Sequence, residues 1–226
     1  MSYKEHIIGK PLYNPVSTVP SMGGMKQYKV SSTNELAGVS LAACLDGSEP
    51  LFIQFADGEN LTWATPGQPM RWEPYEAAKA DENLFIIKFM QSEKTPKTNV
   101  TLIWDRESTL ITCVVGELGR DENRPRLVDS KVFFGAQKLP HTPLTTARHG
   151  YTKDLVGKRI IWRYNPNDEI MHCYCGENYF RLGTSEKVLS PDATPDQIAR
   201  YEAFQERKKV YPVYEEPAYY IKIKEG

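Results

Sequence analysis

Leu155–Leu182, LVGKRIIWRYNPNDEIMHCYCGENYFRL, is the stretch from which this chain can be read. Ile160, Trp162 and Tyr164 alternate along one face, Asn165-Pro166-Asn167-Asp168 supplies turn chemistry, and His172 and Tyr174 alternate along the segment that follows. Period-two alternation interrupted by turn residues predicts two or three consecutive β-strands. The stretch also has an echo. Leu36-Ala37-Gly38 opens an earlier segment as Leu155-Val156-Gly157 opens this one, 119 positions apart. Gly58-Glu59-Asn60 recurs as Gly176-Glu177-Asn178 at an offset of 118. Landmarks at nearly constant spacing indicate one β unit used twice.

Working outward, the segment from Leu36 reads as strands near 38–45, 50–57, 60–65, 70–77, 84–91, 99–106, 109–116 and 128–136. Asp46-Gly47, Asp57-Gly58, Pro66-Gly67, Asp81-Glu82-Asn83, the Pro96 loop, Glu107-Ser108 and a charged loop from Gly119 to Arg126 separate them. No helical period long enough for a crossover lies between Leu36 and Gln137, so a parallel sheet is excluded in favour of an up-and-down antiparallel meander. Closing eight strands into a barrel removes the edges and leaves an interior that side chains fill or one small ligand occupies. The predicted organisation is therefore all-β: an extended arm over 1–35, a barrel over 36–137, a linker over 138–152, and a second unit over 153–226. Within that last unit one helix is predicted inside 192–209, capped by Thr194 with Pro195 in its first turn. Tyr220-Ile221-Lys222-Ile223 resembles the Phe85–Phe89 strand, which suggests that the barrel's fifth strand recurs after the helix. A unit of about five strands that stops short cannot close alone. Its open edge is expected to pair with the barrel, the arm or another subunit, so a homodimer through the second unit is anticipated.

Composition narrows the function classes. The 226 residues are 40% hydrophobic and 25% charged, with Lys+Arg 28 against Asp+Glu 29. Without a basic surplus, nucleic acid and anionic membrane are poor partners. No apolar run approaches a membrane span and the N-terminus has no signal-peptide core, which points to the cytoplasm. Cys44, Cys113, Cys173 and Cys175 sit in apolar strand-like segments and read as reduced thiols.

The residues quoted above resemble the molybdenum cofactor biosynthesis protein F (MoaF) family. The Leu-Val-Gly-Lys-Arg-x-x-Trp-Arg-Tyr run of Leu155–Tyr164, with His172 on the next strand, is similar to the family's C-terminal module. Leu36-x-Gly38, Phe55-Ala56-Asp57-Gly58 and Trp63 are similar to its N-terminal module. The resemblance implies two calycin-type, lipocalin-like modules in tandem and no defined reaction. A more distant likeness is to phenolic acid decarboxylases, single calycin barrels that use Tyr, Arg and Glu inside the barrel. The segment Tyr211-Pro212-Val213-Tyr214-Glu215-Glu216-Pro217 carries it.

No phosphate loop, HExxH or Gly-x-Ser-x-Gly elbow is present, and no motif demands a cofactor. His172-Cys173-Tyr174-Cys175 has the residue types of a metal site. On a strand, however, His172 points opposite to both cysteines, so no metal is predicted there. Aromatics with polar tips on strands are the stronger signal for a flat or apolar small ligand: Trp63, Trp72, Tyr75, Trp104 and Trp162, with Lys88 as a charged orienting group. Tyr164, His172 and Tyr174, joined by Glu73 and Arg71 on strand 70–77, are the acid–base candidates. Two functions remain open. One is a cofactor-free lyase, decarboxylase or isomerase acting on a small hydrophobic or aromatic metabolite. The other is a non-catalytic small-molecule-binding or sensing protein of lipocalin type.

Overall fold

A computed structural model describes residues 30–118, 128–165, 168–183, 192–210 and 214–224. The predicted arm over 1–29, the charged loop over 119–127 and the centre of the Asn165–Asp168 turn lie outside the described residues. The chain divides into two compact units, which exchange at Gly150 and Tyr151.

The first unit is a closed antiparallel barrel of β1 (Ser40–Leu45), β2 (Leu51–Phe55), β3 (Asn60–Ala64), β4 (Arg71–Asp81), β5 (Leu84–Gln91), β6 (Thr98–Asp105), β7 (Leu110–Leu118) and β8 (Val128–Gln137). Each strand pairs with the next, and β1 closes on β8 through Cys44 opposite Ala136. The alternation read from sequence is the physical cause. Buried and exposed residues alternate along β2 and β5, and the inward set gathers into one core that includes Leu41, Ile53, Phe55, Ile87, Leu102 and Trp104. Each such side chain contributes about 1.5–3 kcal/mol by leaving water. The β2–β3 turn is set by Asp57, whose Oδ1 accepts the Glu59 and Asn60 amides at 2.8 and 2.7 Å.

β9 (Gly150–Tyr151) straddles the boundary, and the second unit contains β10 (Arg159–Asn165), β11 (Asp168–Cys173), β12 (Tyr179–Gly183), the helix α1 (Pro195–Val210), β13 (Tyr214–Pro217) and β14 (Ile221–Lys222). β10-β11-β12-β13 form an open four-stranded sheet, and β14 pairs with β9. The helix starts where its cap predicts. The Gln197 amide donates to Thr194 Oγ1 at 3.3 Å while the Thr194 amide donates to Gln197 Oε1 at 2.8 Å, a reciprocal cap that satisfies otherwise orphaned donors.

The repeat is present in the pairing itself. Leu41 faces Ile53 in the barrel, and Ile160 faces His172 at the same places in the second unit. Ile53 faces Trp63, and His172 faces Leu182. Loop hydrogen bonds coincide too. Gly38 donates to the Phe55 carbonyl at 2.7 Å and Gly157 donates to the Tyr174 carbonyl at 2.7 Å. Both glycines have positive φ, 79° and 84°, which only glycine adopts at little cost. Even an ion pair recurs: Lys79 meets Glu35 at 2.7 Å, and Lys222 meets Asp154 at 2.8 Å.

One expectation is corrected. The tail from Tyr214 repeats the fourth strand and not the fifth. Pro217 lies opposite Tyr179 as Pro74 lies opposite Asn60, and Tyr214 lies opposite Leu182 as Arg71 lies opposite Trp63. Beyond β12 the offset grows from 119 to 143 because the segment holding α1 is inserted between equivalents of β3 and β4. That insertion breaks the constant spacing on which a repeat is recognised by eye. The second unit thus corresponds to β1–β4, one half of the barrel.

Candidate functional site

Strand alternation places the sequence-derived candidates in two groups, one in each unit. In the barrel, Trp63, Glu73, Tyr75 and Trp104 point inward and are buried. Tyr75 donates its hydroxyl to the Asp57 carbonyl at 2.9 Å. The Glu73 carboxylate accepts the amide and hydroxyl of Ser92 at 2.8 and 2.7 Å, so a buried charge is held by two donors. Arg71, at the end of the same face, pairs with Glu93 and lies over the Trp63 ring, its guanidinium 5.7 Å from the ring centre. Lys94 approaches the same ring at 5.8 Å. Arg71 and Glu73 are therefore committed to different partners. The indole nitrogens of Trp63 and Trp104 are buried with no hydrogen-bond partner among the described residues.

Trp72 and Lys88 do not line the interior. Trp72 is 66% exposed and Lys88 stands on the outer face of β5. The face carrying Glu73 and Tyr75 took the inside of β4, so the alternate residues Trp72 and Glu76 are turned outward.

In the second unit, Ile160, Trp162, His172, Tyr174, Phe180 and Tyr220 gather on the face that is inward in the barrel. Trp162 Nε1 donates to Tyr174 Oη at 3.1 Å. The His172 ring stacks on Phe180 with centroids 4.2 Å apart and planes 14° from parallel, and it lies 6.0 Å from both Trp162 and Tyr174. Tyr220 meets Tyr174 edge-on at 5.1 Å and donates its own hydroxyl to the Tyr179 carbonyl at 2.8 Å. Burial holds the His172 imidazole below its ordinary value near 6.5, so the ring is neutral at pH 7. Burial likewise raises the Tyr220 phenol. Tyr164 belongs to β10, but its side chain lies outside the described residues.

Tyr174, Phe180 and Tyr220 are buried and His172 is half-buried, so what distinguishes this face is the exposure of Trp162 alone. Trp162 stands where the barrel has Ala43 and is 44% exposed, while Ala43 is sealed. The arrangement offers an indole face, a neutral imidazole edge and a tyrosine hydroxyl that accepts from Trp162 and keeps its proton to donate. Phe180 and Tyr220 were not singled out in the sequence. Their signal was the repeat, since Phe180 holds the place of the fully buried Leu61.

Elsewhere, His149 is buried with Nδ1 2.9 Å from Thr112 Oγ1, and burial lowers its pKa against the opposing charge of Asp105. All four thiols are free, and burial pushes that of Cys113 up to about 12. Cys175 donates to the Cys173 carbonyl at 3.2 Å. Among the described residues no three His, Cys, Asp or Glu side chains are grouped as a metal ion requires. Among the described residues, no helix is long and apolar enough to cross a membrane. A surface cleft of about 500 Å³, lined by Tyr151, Thr152, Lys153, Glu177, Asn178 and Tyr219, contains none of the candidates. Its walls carry an exposed Lys153–Glu177 pair, a geometry that does not set a ligand's orientation.

Among known families, the model described as the MoaF N-terminal domain matches residues 18–120, a span that contains β1–β7. No curated protein matches the chain.

Proposed function

Beside the match of residues 18–120 to the MoaF N-terminal domain model, we propose that this protein binds a small, flat, apolar or aromatic molecule at the exposed Trp162 on the aromatic face of its second unit. The observation that carries the reading is the substitution of Ala43 by Trp162 at equivalent places in two sheets of the same register. A position that the barrel fills with a methyl group here carries a half-exposed indole, locked by its hydrogen bond to Tyr174. A pre-oriented aromatic wall with a few convergent polar groups suits ligand capture, because little side-chain entropy is left to lose.

The test is fluorescence titration with the aromatic probe 8-anilinonaphthalene-1-sulfonate. Trp162→Ala and His172→Ala should each weaken binding roughly 5- to 100-fold, the scale of a lost aromatic contact or buried hydrogen bond. Unchanged affinity in both variants, with far-ultraviolet circular dichroism intact, would refute the site.

A second reading, proton-transfer catalysis, draws on the neutral imidazole of His172 beside Tyr174. It predicts that His172→Ala and Tyr164→Phe each lower turnover of a screened aromatic acid by roughly 10²-fold. Equal turnover in wild type and both variants would dismiss it.

A further inference from the structure

We infer that two copies of this chain complete one another's second unit, closing two four-stranded halves into a single eight-stranded barrel whose interior holds both copies' Trp162, His172 and Tyr174. Its ligand arm rests on the reading above; its assembly arm does not.

The first unit shows what the face requires. There the equivalent half, β1–β4, is covered and closed by β5–β8, with β4 pairing β5 and β1 pairing β8, both antiparallel. In the second unit the same half has the same registers, yet the described residues supply no strand at the outer edges of β10 and β13. Edges that no described strand pairs and an exposed Trp162 indole are both costly where backbone donors and apolar area remain in water. A second copy satisfies both needs. Four is an even number, so β10 and β13 run in opposite directions. A twofold axis along the barrel axis then brings β13 of one copy antiparallel to β10 of the other at both seams, which is self-complementary. Eight strands is also the number at which side chains fill the interior or leave room for one small ligand.

Hydrogen bonding in the barrel identifies the donors at the seam. Lys138 donates to the Ala42 carbonyl and Asp46 donates to the Phe134 carbonyl, each at 2.8 Å, so even positions of β1 face β8. Ile161 occupies the place of Ala42. Its amide therefore faces the edge that no described strand pairs, and its side chain, on the outer face, is 60% exposed. Across the seam, Tyr75–Lys79 of β4 pairs with β5, which assigns the matching edge in the second unit to Ala218–Lys222.

Sedimentation equilibrium of the full chain tests this. Twice 25.8 kDa is expected at micromolar concentration. Ile161→Pro removes the edge donor without touching a β10–β11 hydrogen bond and should raise the dimer dissociation constant at least ~10-fold. Ile161→Thr keeps the amide and should remain dimeric. One molecule of 8-anilinonaphthalene-1-sulfonate per dimer, lost with dissociation, is the expected ligand result. A wild-type mass of 25.8 kDa at 100 µM or so would overturn the assembly, since every occupant from the same chain leaves that mass. A dimer equally tight in folded Ile161→Pro would also overturn it, by placing the interface elsewhere. A dimer that binds no probe would uphold the assembly and sink the ligand reading. A monomer that binds the probe would do the reverse.

Discussion

The barrel and the second unit share a register and differ in what they do with it. In the barrel, Ile53, Phe55 and Leu61 are sealed beneath β5–β8; in the second unit the same places hold His172, Tyr174 and Phe180. Backbone pairing and the glycine turns are thus fixed by the repeat, while side-chain chemistry is free to diverge where the four covering strands β5–β8 have no counterpart among the described residues. Tyr174 and Phe180 stay buried, as Phe55 and Leu61 are, while His172 is half-buried and Trp162 reaches solvent where Ala43 is sealed. Under the proposed binding role, equivalent positions carry stability in one unit and recognition in the other.

Truncating the deepest indole against the half-exposed one is the change that should separate the units most. Trp104→Ala, at 1% exposure, should cost the barrel about 3–5 kcal/mol in urea unfolding. Trp162→Ala should cost its unit only ~1 kcal/mol. Similar losses at both sites would erase the distinction between core and site.

The glycine turns should instead behave alike. A methyl group at Gly38 or Gly157 meets nothing within 4 Å, so the cost in each is backbone strain at positive φ. Gly38→Ala and Gly157→Ala should each destabilise their own unit by roughly 1–2 kcal/mol. A strong effect at one and none at the other would break the equivalence.

Acid should weaken both units by the same mechanism. His149 and His172 bind protons less readily when folded than when unfolded, because burial opposes their charge. Their contribution is therefore full above about pH 6.5 and declines as pH falls below that value towards the folded pKa. Melting temperature should fall between pH 7.5 and 5.5, and His149→Gln should flatten the barrel's share. A melting temperature that climbs on acidification contradicts the assignment.

Trp72→Ala should do least. Its indole lies on the outer face, 66% exposed, and removal should stay within about 0.5 kcal/mol and leave probe binding unaltered.

Much of this architecture was legible in the chain. Alternation and turn residues located all eight barrel strands, with ends within about two residues except that β4 runs four residues past the expected 77 to Asp81, and Thr194-Pro195 marked the start of α1. Leu36-Ala37-Gly38 and Leu155-Val156-Gly157 marked the repeat because each glycine is held at positive φ. The fourth-strand identity of Tyr214–Lys222 was hidden by the inserted helix, which shifts the spacing while leaving the pairing intact. Which face turns inward was hidden too. Alternation defines two faces of β4, but Glu73 is inward because Ser92, nineteen residues away, supplies its donors, and no local pattern announces that. For the same reason Trp72 reads as well as Trp63 in sequence and stands on the opposite side. The half-open state of Trp162 depends on strands the second unit does not contain among its described residues, a property of topology that no residue by itself carries.

The most direct test of the account is an indole-resolved titration. The chain has four tryptophans, Trp63, Trp72, Trp104 and Trp162, hence four Nε1–H signals in a proton–nitrogen correlation spectrum. On addition of 8-anilinonaphthalene-1-sulfonate, the account predicts that the Trp162 signal moves and that Trp63 and Trp104, sealed in the barrel, stay in place. Movement of Trp63 or Trp104 with Trp162 unmoved would put the site inside the first barrel and contradict it.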